Sequence, residues 1–149
     1  MTLIDPVRIQ EHVHGHIGWL AAIALVHPAI VLRRTNRRAH LAVGLACGIA
    51  TLAGGLGAYI YGDYRDRLRQ HIFQGARVMG YLFERKEHLA FGAVLLAWAG
   101  TASYVAATRV DGPTREQLRK AAHWAFVGAA TLAVVTAALG TLVASYKTF

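Results

Sequence analysis

The stretch LAVGLACGIATLAGGLGAYIY, residues 41–61, contains 21 residues without a formal charge. An α-helix rises about 1.5 Å per residue, so this stretch is long enough to cross roughly 30 Å of bilayer hydrocarbon. A second uncharged stretch, residues 89–108, has the same property. The sequence therefore predicts at least two membrane-spanning helices.

Two further stretches bring the number of predicted spans to four. Residues 121–146 carry no formal charge and are long enough to cross the membrane with some tilt. Residues 13–32 are more polar because they contain three histidines, but their central part, residues 17–26, is wholly apolar. We predict an all-α fold, an integral membrane up-and-down four-helix bundle, with spans at about 13–33, 39–61, 88–108 and 119–146.

The composition leaves little of the chain outside this bundle. Hydrophobic residues make up 55% of the 149 positions, and most of them lie in the four apolar stretches. We therefore expect one domain covering residues 1–149. The opening residues, MTLIDPVRIQEH, lack the basic segment, short apolar core and small-residue cleavage site of a signal peptide, so we expect the first span to be retained.

The formal net charge of +8 would suggest a nucleic-acid ligand in a soluble protein, but here the basic residues lie where the predicted spans meet the membrane interface. We therefore expect a lipid bilayer, and no nucleic acid, as their partner. The two short turns are the most densely basic, which predicts that they are cytoplasmic and both termini outside, in a bacterial inner membrane. Their bases are Arg33, Arg34, Arg37 and Arg38 in the first turn, and Arg109, Arg115, Arg119 and Lys120 in the second.

The connection between the second and third spans, residues 62–87, is long and charged. At helical spacing, Leu68, Ile72 and Phe73 share one face, which predicts an amphipathic helix at the membrane interface. A second apolar cluster, within residues 78–83, fits either the membrane surface or a partner subunit. The chain is thus a candidate homo-oligomer or subunit of a larger membrane complex.

Each predicted span carries a histidine near its N-terminal end: His14 or His16, then His40, His88 and His123. An imidazole in hydrocarbon needs partners for two ring nitrogens, so such histidines usually face a bundle interior, a cofactor or a water-filled cavity. Neighbouring spans run antiparallel. His14 or His16 is therefore expected to meet His88 at one membrane face, and His40 to meet His123 at the other.

Three of these histidines are followed four residues later by a glycine, which puts both residues on one helical face. The glycines are Gly18, Gly44 and Gly92, and His123 has Gly128 five residues later. A flat macrocycle wedged between helices leaves no room for large side chains beside its ligand, so this pattern favours haem packing. Small residues also let membrane helices approach closely, and that alternative explains Gly44 and Gly92 without a cofactor.

The paired histidines predict two b-type haems, each held between two imidazoles, one near each membrane face. Cys47, the single cysteine, lies within a span and provides no haem-attachment motif, so both haems would be noncovalent. Two axial imidazoles leave the iron no open site for oxygen chemistry, which predicts transmembrane electron transfer. Basic residues near the sites would pair with haem propionates or serve as topology anchors: Arg34, Arg38, Arg119 and Arg67.

Four stretches resemble the four-helix core of the cytochrome b561 superfamily: HGHIGWLAAIALVHPAIVLRR (14–34), RRAH (37–40), EHLAFG (87–92) and KAAHWAFVG (120–128). In that superfamily a leading His-Gly, an aromatic residue, a mid-helix proline and a terminal arginine precede three further helices with one ligand histidine each. The resemblance implies a di-haem electron carrier in which helices one and three share one haem, and helices two and four the other. It implies as ligands His14, His40, His88 and His123, with Trp19 as the aromatic residue and Arg34 as the helix-ending base.

Several alternatives remain at the level of sequence. His16 is a rival first-helix ligand that shares a helical face with His27, eleven residues later, and His27 is itself an alternative ligand beside Pro28. A membrane anchor subunit would need only one haem and a quinone site within a larger redox complex. A non-redox four-helix membrane protein would use its histidines for protons, a metal ion or structure. Quinols, small reductants such as ascorbate and protein redox partners all fit as electron donors or acceptors.

Overall fold

The computed structural model of the chain describes residues 6–34, 39–67 and 69–145. Within these ranges the chain forms helices and no β-strand, as the sequence predicts. The five helices are α1 (Pro6–Leu32), α2 (His40–Arg67), α3 (Arg69–Gly75), α4 (Arg77–Ala107) and α5 (Gly112–Ser145).

Four of the five helices are long and apolar enough to cross a bilayer. The candidate spans are Ile9–Leu32, His40–Gly62, Arg77–Ala107 and Gly112–Ser145. They confirm the prediction of an all-α chain with four membrane-crossing helices. Large apolar side chains on their outer surfaces are exposed, as lipid contact requires, for example Ile23, Leu41 and Trp124. The chain thus has the architecture of a multi-pass membrane protein.

Three helices begin earlier than the predicted spans. The sequence predicts a first span from about residue 13, whereas α1 begins at Pro6. The sequence predicts a third span from about residue 88, whereas α4 begins at Arg77. It predicts a fourth span from about residue 119, whereas α5 begins at Gly112. Charged residues in these extensions do not end a helix, because its backbone hydrogen bonds form equally well at the interface, where water solvates the charges. Hydropathy therefore locates the part of a helix that crosses hydrocarbon and not the helix ends.

The long helices pack in a ring of four. α1 packs against α2 and α5, and α4 packs against the same two helices, with the α4–α5 contact the most extensive. Because α1 and α4 each pack against both α2 and α5, α1 and α4 lie diagonally opposite each other, as do α2 and α5. Consecutive long helices run antiparallel. The first and third spans therefore face each other across the bundle axis, and so do the second and fourth.

Small residues allow α4 and α5 to approach closely. A Cβ atom added at Gly100 would lie 2.9 Å from the ring of Phe126, and one at Gly92 would lie 3.1 Å from a leucine of α5. From the other side, a Cβ atom added at Gly128 would lie 3.0 Å from a leucine of α4. In a bilayer the lipid tails are as apolar as the side chains, so close van der Waals packing of this kind stabilises helix association.

The predicted interfacial segment, residues 62–87, is divided among the end of α2, α3 and the start of α4. α3 has seven residues, none of them buried, and α4 follows after the extended residue Ala76. Arg69 on α3 forms an ion pair with Glu84 on α4, 2.5 Å between Nη2 and Oε1, which holds α3 against the start of α4. Leu68, part of the predicted amphipathic face, lies outside the described residues.

Candidate functional site

The candidate histidines fall into two groups at opposite ends of the bundle. His14 lies near the start of α1 and His88 in the first half of α4, and these two helices run in the same direction. His40 begins α2 and His123 lies in the first half of α5, so both are at the other end. Ala29, whose carbonyl contacts His123, follows His14 by 15 residues, or about 22 Å along α1. Most of the thickness of the hydrocarbon core therefore separates the two groups.

His14 lies between α1 and α2. A Cβ atom added at Gly57 on α2 would be only 2.9 Å from Cε1 of the His14 ring. The Nδ1 atom of His14 is buried and has no hydrogen-bond partner among the described residues. The charged groups of Lys86 and Glu87 lie close enough to interact with the imidazole, which places His14 at the level of the α4 segment that carries His88.

The two alternative first-helix ligands are exposed. The Nδ1 atom of His16 pairs with the carbonyl of His12, one turn earlier, at 2.7 Å. His27 is exposed although the neighbouring Pro28 is fully buried. Of the three candidates on α1, His14 is the one that lies half-buried against a neighbouring helix.

His88 and His123, like His16, have the hydrogen-bonding arrangement that is typical of ligand histidines, with Nδ1 bonded to a backbone carbonyl. The Nδ1 atom of His88 lies 2.9 Å from the carbonyl oxygen of Glu84, one turn earlier on α4. The Nδ1 atom of His123 lies 2.8 Å from the carbonyl oxygen of Ala29 on α1. An imidazole that donates its Nδ1 proton to a carbonyl has a fixed orientation and presents Nε2 as a neutral ligand atom. Both rings can therefore offer Nε2 to a metal.

The carbonyl of Ala29 is available to His123 because α1 ends nearby. The amide of Arg33 bonds to the carbonyl of Ile30, 3.3 Å away, as the chain leaves the helix after Leu32. The last carbonyl groups of a helix have no partner within it and are satisfied by side chains or water. His123 satisfies one of them and thereby ties α5 to the end of α1.

His40 stands in the first turn of α2, where it contacts a tyrosine of α4. The ring centroids of His40 and Tyr104 are 5.3 Å apart, in an edge-to-face arrangement. Tyr104 is buried, and its hydroxyl oxygen accepts the backbone N–H of Ala39 at 2.8 Å. The guanidinium of Arg119 lies 5.8 Å from the same ring centroid and donates to the carbonyl of Arg34 at 3.0 Å. These contacts join all four long helices at one end of the bundle.

The four arginines predicted to pair with propionates differ in their surroundings. Arg119 is only 7% exposed, and its guanidinium bonds to the Arg34 carbonyl. The side chain of Arg34 itself is exposed. Arg38 and the side chain of Arg67 lie outside the described residues. Of the two arginines whose side chains the structure describes, Arg34 is the one that is exposed and therefore accessible to an anionic group at this end of the bundle.

The three glycines predicted to make room for haem have two kinds of surroundings. A Cβ atom added at Gly18 or Gly44 would meet nothing within 4 Å, so both positions are open. Gly92 faces α5, with its added Cβ atom 3.1 Å from Leu132, so close helix packing is sufficient to account for this glycine. Gly57, which no sequence pattern singles out, is the glycine that contacts a candidate ligand.

The two ends differ in how well they fit a haem. Each end carries two of the candidate histidines, of which His14 and His123 are half-buried whereas His40 and His88 are exposed. At the His14 end, the imidazole of His14 packs closely on Gly57 of α2, and its Nδ1 atom is buried without a hydrogen-bond partner among the described residues. At the His40 end, the interior is filled by fully buried large side chains, and a haem there requires them to repack: Tyr104, Phe126, Leu25 and Val43.

Comparison of the chain with protein-family models, curated proteins and solved structures finds no match. The resemblance to the cytochrome b561 superfamily stays an expectation that rests on short motifs. Function is therefore inferred from the membrane-crossing bundle and the placement of its histidines.

Gly57→Ala is expected to disturb the His14 ring. The new methyl group would lie 2.9 Å from Cε1, closer than carbon atoms pack, so the ring must move or the helices must separate. Alanine is otherwise about 1 kcal/mol more favourable than glycine inside a helix, so a loss of stability reports the clash. We expect a lower thermal unfolding midpoint than for the control Gly55→Ala, whose methyl group meets nothing within 4 Å. Equal midpoints would show that His14 does not pack against Gly57.

Proposed function

We propose that this chain is a b-type cytochrome that transfers electrons across a membrane by means of two noncovalent haems. His14 and His88 would hold one haem, and His40 and His123 the other. The supporting observation is that the four candidate histidines lie in two groups at opposite ends of the bundle, about 22 Å apart along α1, and that the two members of each group are on diagonally opposite helices.

When bound, each haem would supply one-electron redox chemistry at an iron with both axial positions filled. The chain's own residues orient the ligands. The carbonyls of Glu84 and Ala29 accept the Nδ1 protons of His88 and His123, which fixes both rings and makes their Nε2 atoms stronger donors. Arg34 provides an exposed positive charge at the His40 end, where it can pair with a propionate.

We further propose a bacterial inner membrane as the location, with the His40 end cytoplasmic. The dense bases of the two short turns support this orientation, because basic residues near span ends are retained in the cytoplasm. Electrons would pass between a donor and an acceptor on opposite faces, such as a quinol, a small reductant or a protein redox partner. Val78 and Tyr81 are exposed near the start of α4, at the His14 end of the bundle. They offer an apolar contact for a partner subunit or a second copy.

A membrane anchor subunit with one haem and a quinone site is a second candidate function. The filled interior around Tyr104 favours a single haem, at the His14 end. A surface cleft of about 780 Å³ at the junction of α3 and α4 has the aromatic and hydrogen-bonding groups that quinone rings use, contributed by Phe73, Gln74, Arg77 and Tyr81. Haem stoichiometry separates the two candidates.

Electron transfer across vesicles tests the proposed function. The haem-loaded protein is placed in phospholipid vesicles that contain ferricyanide, and ascorbate is added outside. We expect the trapped ferricyanide to be reduced faster than in protein-free vesicles. His88→Ala and His123→Ala should each return the rate to that of protein-free vesicles, because a missing haem at either face interrupts the path. Wild-type protein that is fully loaded with haem and reduces ferricyanide only at the protein-free rate would contradict transmembrane electron transfer.

A further inference from the structure

His12 and His16 stand one turn apart on α1, at the same end of the bundle as His14. Residues four apart on an α-helix lie on the same face, with their Cβ atoms about 6 Å apart. Two histidines at this spacing can bind one metal ion together, as they do in helical zinc sites. Both residues are exposed, so this face of α1 is accessible to an ion from outside the bundle.

The imidazole of His16 is turned toward the helical turn that carries His12. Its Nδ1 atom lies 2.7 Å from the backbone carbonyl oxygen of His12. An imidazole that donates its Nδ1 proton to a carbonyl has a fixed orientation and keeps a lone pair on Nε2, the form in which histidine binds metals. The exposed His27, by contrast, has an isoleucine four residues before it and a valine four residues after it, so it has no such neighbour.

The two histidines lie where α1 enters the membrane. The candidate span begins at Ile9, and the last charged residue before its apolar stretch is Glu11, next to His12. The Cα–Cβ bonds of a helix tilt toward its N-terminus, so the His16 side chain projects back toward the interface, where water is present. A hydrated cation can therefore reach both rings without crossing hydrocarbon.

We propose that His12 and His16 form a surface site for a divalent transition-metal ion such as Zn²⁺ or Cu²⁺. Imidazole nitrogen suits these ions, whereas Mg²⁺ and Ca²⁺ prefer oxygen ligands. No group of three or more histidine, cysteine or carboxylate ligands occurs within the described residues, so water molecules complete the coordination. His14 is not part of this site, because its ring packs against Gly57 of α2 with Nδ1 buried. The site is independent of the haems proposed above.

Calorimetric titration of the untagged, detergent-purified protein with Zn²⁺ tests this site. We expect His12→Ala and His16→Ala each to weaken the binding of one Zn²⁺ per chain by at least about tenfold, since even changes outside the ligands themselves cost metal sites this much. His27→Ala is the matched control, because His27 is exposed on the same helix, and it should bind zinc as the wild type does.

Copper gives a second and spectroscopic measurement of the same site. Cu²⁺ should bind more tightly than Zn²⁺, following the usual order of affinities at nitrogen sites. Its paramagnetic resonance spectrum should show two coordinating nitrogen atoms in the wild type and in His27→Ala. The same spectrum should show one such nitrogen in His12→Ala and in His16→Ala.

Three results would overturn the metal site. Unchanged zinc affinity in both His12→Ala and His16→Ala would mean that these rings do not bind the ion. An equal loss of affinity in His27→Ala would mean that the spacing of the two histidines is irrelevant. Loss of zinc in His14→Ala but not in His12→Ala would move the ion to a buried position. These measurements need no haem, so a failure of the proposed electron transfer leaves their outcome unaffected.

Discussion

His123→Asn is expected to abolish one of two haem signals while leaving the fold intact. The asparagine amide can replace Nδ1 of His123 as a donor to the Ala29 carbonyl, 2.8 Å away in the wild-type protein, but it has no atom in place of Nε2. The difference spectrum should lose one low-spin component, and the thermal unfolding midpoint of the haem-free protein should stay close to that of wild type. His40→Asn should remove the same component, because both imidazoles would hold one haem.

His88→Ala should remove the other component. The control variants are His16→Ala and His27→Ala, which lie outside the proposed ligand set, and both should keep two haems. Loss of the same component from the His40 and His88 variants would contradict the pairing. Loss of haem from His16→Ala but not from His14→Ala would move the first-helix ligand to His16.

Gly100→Val should destabilise the bundle strongly. A Cβ atom at this position would lie 2.9 Å from the buried ring of Phe126 and 3.3 Å from the backbone oxygen of Ala122. The backbone oxygen cannot move without shifting α5, so the clash acts on the main contact between α4 and α5. Overpacking of this kind typically costs about 1 to 3 kcal/mol, and we expect the free energy of unfolding in mixed detergent micelles to fall by that amount.

Gly48→Val on α2 is the control for this substitution. An added Cβ atom at Gly48 would meet nothing within 4 Å, and the residue is exposed on the outer surface of the bundle. Both variants replace a helical glycine with the same β-branched residue, so the change in helix propensity is the same for both. The difference between their free energies of unfolding therefore measures the packing clash. Equal unfolding free energies for the two variants would mean that α4 and α5 are not packed as described.

The four spans were predictable because a helix that crosses the bilayer hydrocarbon needs about 20 consecutive, predominantly apolar residues. The residues from 41 to 61 satisfy it without ambiguity, and the structure has a candidate span there, His40–Gly62. The eleven residues by which α4 extends before the predicted third span were not predictable in this way. They lie outside the apolar stretch and include the bases and acids that fold α3 against α4, such as Glu84 with Arg69. Hydropathy contains no information about such ion pairs.

The arrangement of the candidate site was predictable only in part. Antiparallel spans dictate that His40 and His123 share one end of the bundle, and the structure places them so. The choice between His14 and His16 depends on which residue faces α2. The two lie two residues apart, on nearly opposite faces of α1, and the sequence does not specify how α1 is rotated. Tyr104 escaped prediction because its partner Ala39 is 65 residues away and no local pattern connects them. The haem itself stays a prediction.

The most direct measurement is the amount of haem per chain in the detergent-purified protein, determined by pyridine haemochrome together with the reduced-minus-oxidised visible spectrum. Two low-spin b-type haems per chain are expected, because each end of the bundle supplies two imidazoles. A chain that folds and is expressed with ample haem, yet binds none, would contradict the assignment of these histidines as haem ligands.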